Sequence, residues 1–195
     1  MRIILLGPPG AGKGTQAALI SERHGVPAIS TGDIFRANIK NGTELGRKVQ
    51  DILAGGGYVP DEVTNAIVRD RLLQDDAVNG FLLDGYPRTT GQVEALDEML
   101  ADQGTSLDAV LELTADTDEV VARLLKRAQD QGRADDTEDV IRRRLAVYHE
   151  ETAPLAAVYG ERGLLRRVDG MGPVEEVTAR VEQALGRGAE PLDPR

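Results

Sequence analysis

The run Gly7-Pro8-Pro9-Gly10-Ala11-Gly12-Lys13-Gly14-Thr15 decides most about what this chain can fold into. It follows a short apolar stretch, Arg2-Ile3-Ile4-Leu5-Leu6, and opens onto a helix-like segment from Gln16 to Arg23. Strand, glycine-rich turn and helix make the setting that a phosphate cradle needs. Glycine lets the backbone approach an anion without a Cβ in the way and allows positive φ. Successive N–H groups and the N-terminus of the new helix then converge on one anion. Lys13 adds a mobile positive charge, and Pro8 and Pro9 stiffen the first half of the loop.

The spacing Gly7-x4-Gly12-Lys13 fits a P-loop with one departure. The residue after the lysine, ordinarily Ser or Thr, is Gly14, and Thr15 comes one place later. The rival dinucleotide fingerprint fails, because Thr15 holds its third glycine position. The plain structural alternative, a strand-to-helix turn with no ligand, leaves Lys13 as an unexplained charge in a buried corner.

Short apolar segments recur along the 195 residues, separated by helical ones. Ile3–Leu6, Pro27–Ser30, Phe81–Asp84, Ala109–Leu113 and Leu164–Val168 read as strands. Such a pattern predicts one α/β domain with a parallel sheet covered by helices on both faces. Aromatic residues are only 3% of the chain and Trp is absent, so the core must be built from Leu, Val, Ile and Ala. With no cysteine there is no disulfide and no thiolate metal site, so no zinc is expected. A strand starting at residue 2 leaves no room for a signal peptide, and no run reaches the length of a membrane span. A cytoplasmic monomer is the expectation. The net charge of −10 argues against nucleic-acid or anionic-membrane partners. An anionic ligand must therefore be held by locally gathered basic groups.

Two regions break the alternation. Between Ser30 and Arg71 only helical signals occur: Ser30-Thr31-Gly32-Asp33 has a capping-box pattern, a helix runs near Glu44–Leu53, and another follows Pro60. These predict a helical flap over the C-terminal edge of the sheet, where ligands bind in such folds. Residues 127–136 are polar and aperiodic and read as a surface loop with a lid role. The expected division is a core of 1–29, 60–126 and 137–186, a flap of 30–59, a lid of 127–136 and a frayed tail of 187–195.

Several charges look unlike solvated surface. Asp84 ends a buried strand, where a carboxylate either caps the next turn or faces Mg²⁺ through water. Arg88 follows Pro87 before a helix and can fork onto a phosphate. Gln92 lies three residues after Thr89, as a capping-box glutamine would; the alternative is an amide reading an adenine edge. Arg144 shares a helix face with Val140, Ile141, Leu145 and Tyr148, so it needs an anionic partner, from protein or ligand. Arg123 and Arg127 lie off the centre of the Val120, Val121, Leu124, Leu125 stripe, and a solvated face is their default reading. His24 and His149 form no metal pattern.

In this order, the Gly7–Thr15 loop, Ser30-Thr31-Gly32-Asp33, Asp84-Gly85-Tyr86-Pro87-Arg88 with Gln92, and Tyr148–Pro154 closely resemble adenylate kinases. The likeness covers residues 1 to about 186, and the Gly-Thr after the lysine is a trait of that family. It implies a P-loop NTPase-type fold, a five-stranded parallel sheet with helices on both faces, an AMP-binding flap and a short lid. It implies Mg²⁺-dependent transfer from ATP to AMP, giving 2 ADP. By motif match, Gly10, Ala11, Gly12, Lys13, Gly14 and Thr15 hold the ATP phosphates, with Arg127 in the lid and Gly172 near the adenine. Thr31, Arg36, Gly57, Tyr58, Val59, Gly85, Tyr86, Pro87, Arg88 and Gln92 form the AMP site. Arg133 and Arg144 face the transferred phosphoryl group and AMP, and Arg123 is a further phosphate-site arginine. Lys13, Arg88, Arg123, Arg133 and Arg144 are thus the implied catalytic set, with Asp84 on the metal through water. Ala128–Gln131 looks like an insertion in the short lid. Rival readings are a UMP or CMP kinase, a GTP switch and a non-catalytic nucleotide-binding module. Thr31 and Gln92 favour AMP, and no Asn-Lys-x-Asp guanine-reading motif occurs.

Overall fold

The computed structural model describes residues 1–131 and 137–186. Among them, strands β1 (Arg2–Leu6), β2 (Ala28–Ser30), β3 (Phe81–Asp84), β4 (Ala109–Thr114) and β5 (Leu165–Asp169) form one sheet in the order β2-β3-β1-β4-β5. Every pairing is parallel. The expected parallel five-stranded sheet is therefore present, with the last strand one residue later than Leu164–Val168.

Period-two alternation in β1 divides the core between the two faces. Ile4 and Leu6 point to one side, with Leu83 and Val110. They pack against α4 (Asp61–Leu72) through Val68 and Leu72, α5 (Thr90–Asp102) through Val93 and Leu96, and α8 (Leu155–Glu161) through Leu155 and Tyr159. Ile3 and Leu5 point to the other side, with Leu82 and Leu111. There they meet Ala17 and Ile20 of α1 (Lys13–His24) and Val177 and Val181 of α9 (Val174–Gly186). Because both faces are covered, the strands read as continuous apolar runs rather than alternating ones.

Between β2 and α4 lie α2 (Thr31–Lys40) and α3 (Glu44–Ala54), which share a small separate core. Phe35, Val49 and Val59 are buried in it, with Leu53, Val63 and Ile67 packed around them. The Ser30 side chain accepts from the Asp33 N–H at 3.2 Å, which makes the expected N-cap of α2. The Asp33 carboxylate does not complete the box; it pairs with Arg36 at 2.6 Å.

After β4, α6 (Thr117–Gln131) packs Val120 and Leu124 against Ile141 and Leu145 of α7 (Glu138–Val147). α6 corrects the sequence reading. Arg127–Gln131, expected as loop, continue the helix, since Ala, Gln and Arg are good helix formers even without an apolar stripe. Leu125 is turned outward, so the buried seam is narrower than the sequence suggested. Val140 is only half-buried. A π-helical turn, Tyr148–Thr152, joins α7 to α8 and has no sequence signal of its own. Among the described residues, no helix is long and apolar enough to cross a membrane.

Candidate active site

The carboxyl ends of β1 and β3 lie side by side, with Leu5 in register with Asp84. From β1 the chain passes to one side of the sheet and from β4 to the other, so a crevice opens beside β1. The Gly7–Gly12 loop fills its floor. Gly10 has a φ of +88°, and a Cβ there would come within 2.9 Å of the Leu124 side chain on α6. Gly12 caps α1 at φ +92°. Helix α1 has no side-chain cap and no acidic residue in its first turn, so its first N–H groups and its positive dipole end are left for a ligand.

The Lys13 ammonium folds back onto this loop, donating to the carbonyls of Gly7 at 2.8 Å and Pro8 at 3.0 Å. Lys13 as a whole is half-buried, but its charged end sits deep among protein atoms. Burial therefore pushes its pKa down to about 8, with Asp84 opposing the shift and Arg88, Arg144 and Arg127 adding to it.

Two clefts leave this point. One runs over the loop and lies beside Gly10, Ala11, Gly12, Gly14 and Thr15. Asp84, Arg123, Arg127 and Gly172 complete its wall. Arg123 donates to the Gly170 carbonyl at 3.3 Å and pairs with Glu119 at 3.0 Å; Arg123 and Arg127 are both half-buried and line this cleft rather than the solvated face assigned by default. The other cleft runs beneath α2 and α3, with Thr31, Gly57, Tyr58 and Val59 on one side. Pro87, Gln92, Tyr148 and Thr152 line it as well. Lys13, Arg36, Gly85, Arg88 and Arg144 line both clefts.

Hydrogen bonds hold the second cleft in shape. Thr31 donates to the Gly85 carbonyl at 2.9 Å, and so does Arg88 Nε at 2.8 Å. The Arg88 guanidinium lies 4.9 Å from the centre of the Tyr58 ring, a cation–π contact. Thr152 donates to the Arg88 carbonyl at 2.8 Å, which leaves its oxygen to accept from the Tyr58 hydroxyl at 2.8 Å. Gln92 does not close a capping box with the Thr89 N–H. Thr89 Oγ1 accepts from the Gln92 N–H at 3.2 Å, while the Gln92 amide turns to the Arg88 N–H and Asp61.

Two clefts that share a set of cations fit a reaction between two phosphate-bearing molecules. The family model for adenylate kinase matches residues 5–164. The chain belongs to the adenylate kinase family. It is 64% identical over 186 residues to an adenylate kinase from Kocuria rhizophila, covering 95% of this chain and 99% of that one. An adenylate kinase from Leifsonia xyli is 61% identical over 191 residues, with 97% and 96% covered. One from Thermobifida fusca is 58% identical over 185 residues, with 95% and 98% covered.

The fold thus brings nearly all the residues named from the adenylate kinase motifs to the two clefts. Tyr86 is an exception: its ring is buried in the core, and its hydroxyl donates to Asn65 at 2.7 Å, behind the site. Arg133 lies outside the described residues, as do the other residues of the second half of the expected lid, 132–136. Sequence reasoning missed Asp61, Tyr148 and Thr152 as parts of the site. Tyr148 and Thr152 sit within the Tyr148–Pro154 motif, which was the one signal available for them.

Proposed function

We infer that this chain catalyses the reversible reaction Mg-ATP + AMP to 2 ADP, with ATP over the Gly7–Thr15 loop and AMP beneath α2 and α3. The observation that carries this reading is the row of cations common to both clefts, Lys13, Arg36, Arg88 and Arg144. A phosphoryl group passing between the clefts must cross that row. The bond from the γ-phosphorus to its bridging oxygen breaks, and a bond forms to an oxygen of the AMP phosphate. That acceptor is already ionised, so no general base is needed. Phosphoryl transfer asks mainly for alignment and for positive charge around the equatorial oxygens.

In this reading Lys13 leaves the Gly7 and Pro8 carbonyls for the outer phosphates of ATP. Arg123 and Arg127 hold the triphosphate, and Arg88 and Arg144 face the phosphoryl in flight. Arg133 joins them by the family resemblance. Among the described residues there is no group of three His, Cys, Asp or Glu side chains placed to hold a metal ion. Asp84 ends β3 on the triphosphate cleft, which Asp33 also lines, and its place beside the Gly7–Gly12 loop suits Mg²⁺ arriving on ATP with most of its water. Residues 30–59 act as a flap and 127–136 as a lid, whose closure keeps water from the phosphoryl group. A cytoplasmic monomer belongs to this proposal; among the described residues the exposed large apolar side chains are Leu73, Val78, Leu125 and Val174, spread over separate segments.

The test is ADP formation from Mg-ATP with AMP, CMP, UMP and GMP in parallel. Strong activity with AMP alone is expected. Equal or better transfer to CMP or UMP would overturn the acceptor assignment, and no transfer to any monophosphate would overturn the activity.

A further inference from the structure

We infer that Asp61, the first residue of α4, sets which base the monophosphate site accepts by locking the Gln92 amide in one orientation; this rests on Gln92 being the residue that reads the base. Gln92 is 2% exposed and its amide is held at both ends. Its Oε1 accepts from the Arg88 N–H at 2.7 Å, and its Nε2 donates to Asp61 Oδ1 at 2.8 Å. The Asp61 carboxylate is itself fixed, because its Oδ2 accepts from the Thr89 hydroxyl at 2.8 Å. Thr89 in turn accepts from the Gln92 backbone N–H at 3.2 Å, closing a ring between the starts of α4 and α5. Gly91 leaves room for the ring: a Cβ there would stand 3.0 Å from Asp61 Oδ2.

A carboxylate only accepts and a backbone N–H only donates, so the amide fits between them one way round. Reversed, it would set a carbonyl against a carboxylate and an NH₂ against an N–H in a buried place, leaving each without its hydrogen bond. A primary amide has two N–H donors and two acceptor lone pairs. One of each is spent on Asp61 and Arg88. The second N–H and the second lone pair remain for the cleft, which Gln92 lines. In that fixed order they complement a 6-aminopurine, whose N1 accepts and whose amino group donates. A 6-oxopurine reverses the order, since its N1–H donates and its O6 accepts. AMP and IMP therefore distinguish a locked amide from one free to turn.

The experiment measures kcat and KM for AMP and IMP, with saturating Mg-ATP, in the wild type, Asp61→Ala, Asp61→Ser, Asp61→Asn and Gln92→Leu. Asp61→Ser keeps a polar residue at the helix start but is too short to reach Gln92, so it serves even where Asp61→Ala folds poorly. In both, the AMP-to-IMP ratio of kcat/KM falls at least about tenfold, carried by a higher KM for AMP. The fall in kcat with AMP stays below about threefold, the split expected for lost binding rather than a lost fold. Asp61→Asn keeps an oxygen toward Gln92 and holds the ratio within about threefold of wild type. An unchanged ratio in Asp61→Ala and Asp61→Ser overturns the lock. If Gln92→Leu collapses the ratio in that case, the lock alone fails. If Gln92→Leu also leaves it unchanged, Gln92 is not the base reader and both readings fall.

Discussion

Lys13 is held at a cost. Its ammonium is enclosed, donates to two carbonyls and faces three arginines against the one carboxylate of Asp84, and burial above all brings its pKa down to about 8 from 10.5. Below about pH 8 both folded and unfolded chains carry the proton, and the full cost of burying the charge is present. Between 8 and 10.5 the unfolded chain binds the extra proton, so this residue makes stability rise with pH. Lys13→Met removes the buried charge. The ligand-free variant should melt above wild type at pH 7 and gain less Tm than wild type between pH 7.5 and 9.5. Its turnover should drop more than about a hundredfold, because the cation proposed for the outer phosphates is gone. A variant with the wild-type pH dependence of Tm would show that Lys13 is not the strained group. Lys13 was legible because the P-loop spacing is local. Gln92 was legible from its place after Asp84–Arg88. Asp61 was not, because the bond that gives it a role spans 31 residues and two helices and leaves no periodic mark.

At the level of elements, what the sequence concealed lies where polar residues continue a helix or where a helix changes pitch. Arg127–Gln131 have no apolar repeat to advertise α6, yet nothing in them breaks a helix. The π turn at Tyr148–Thr152 turns Thr152 inward, where it ties two elements together. Its hydroxyl joins Arg88, just before α5, to Tyr58, between α3 and α4. Thr152→Val keeps the shape and removes both bonds, leaving the Arg88 carbonyl without this donor and the Tyr58 hydroxyl without this acceptor. The expected loss is about 1–3 kcal/mol, read as a lower Tm or denaturant midpoint. KM for AMP should rise several times more than KM for Mg-ATP, because Tyr58 and Thr152 border the cleft proposed for AMP and not the other. Equal changes in both constants, or no change in stability, would show that the tie does not shape that cleft.

Across the whole molecule, sequence reading recovered the parallel sheet and its two covered faces, since buried strands such as Ile3–Leu6 are apolar throughout. Strand order could not be read locally: β1 lies between β3 and β4, and that follows from how distant segments pack. It is this order that sets the Gly7–Gly12 loop beside Asp84 and opens the crevice. A protein of net charge −10 then presents to its anionic substrates a wall of Lys13, Arg36, Arg88 and Arg144 drawn from four segments. With one substrate in each cleft, as we propose, both are bound together and the phosphoryl group passes directly between them. The most direct check is a grid of initial rates over Mg-ATP and AMP concentrations. Double-reciprocal lines that intersect, with slopes changing as the second substrate varies, are expected for transfer inside a ternary complex. Parallel lines, together with a phosphorylated protein formed from Mg-ATP alone, would contradict direct transfer between the two clefts.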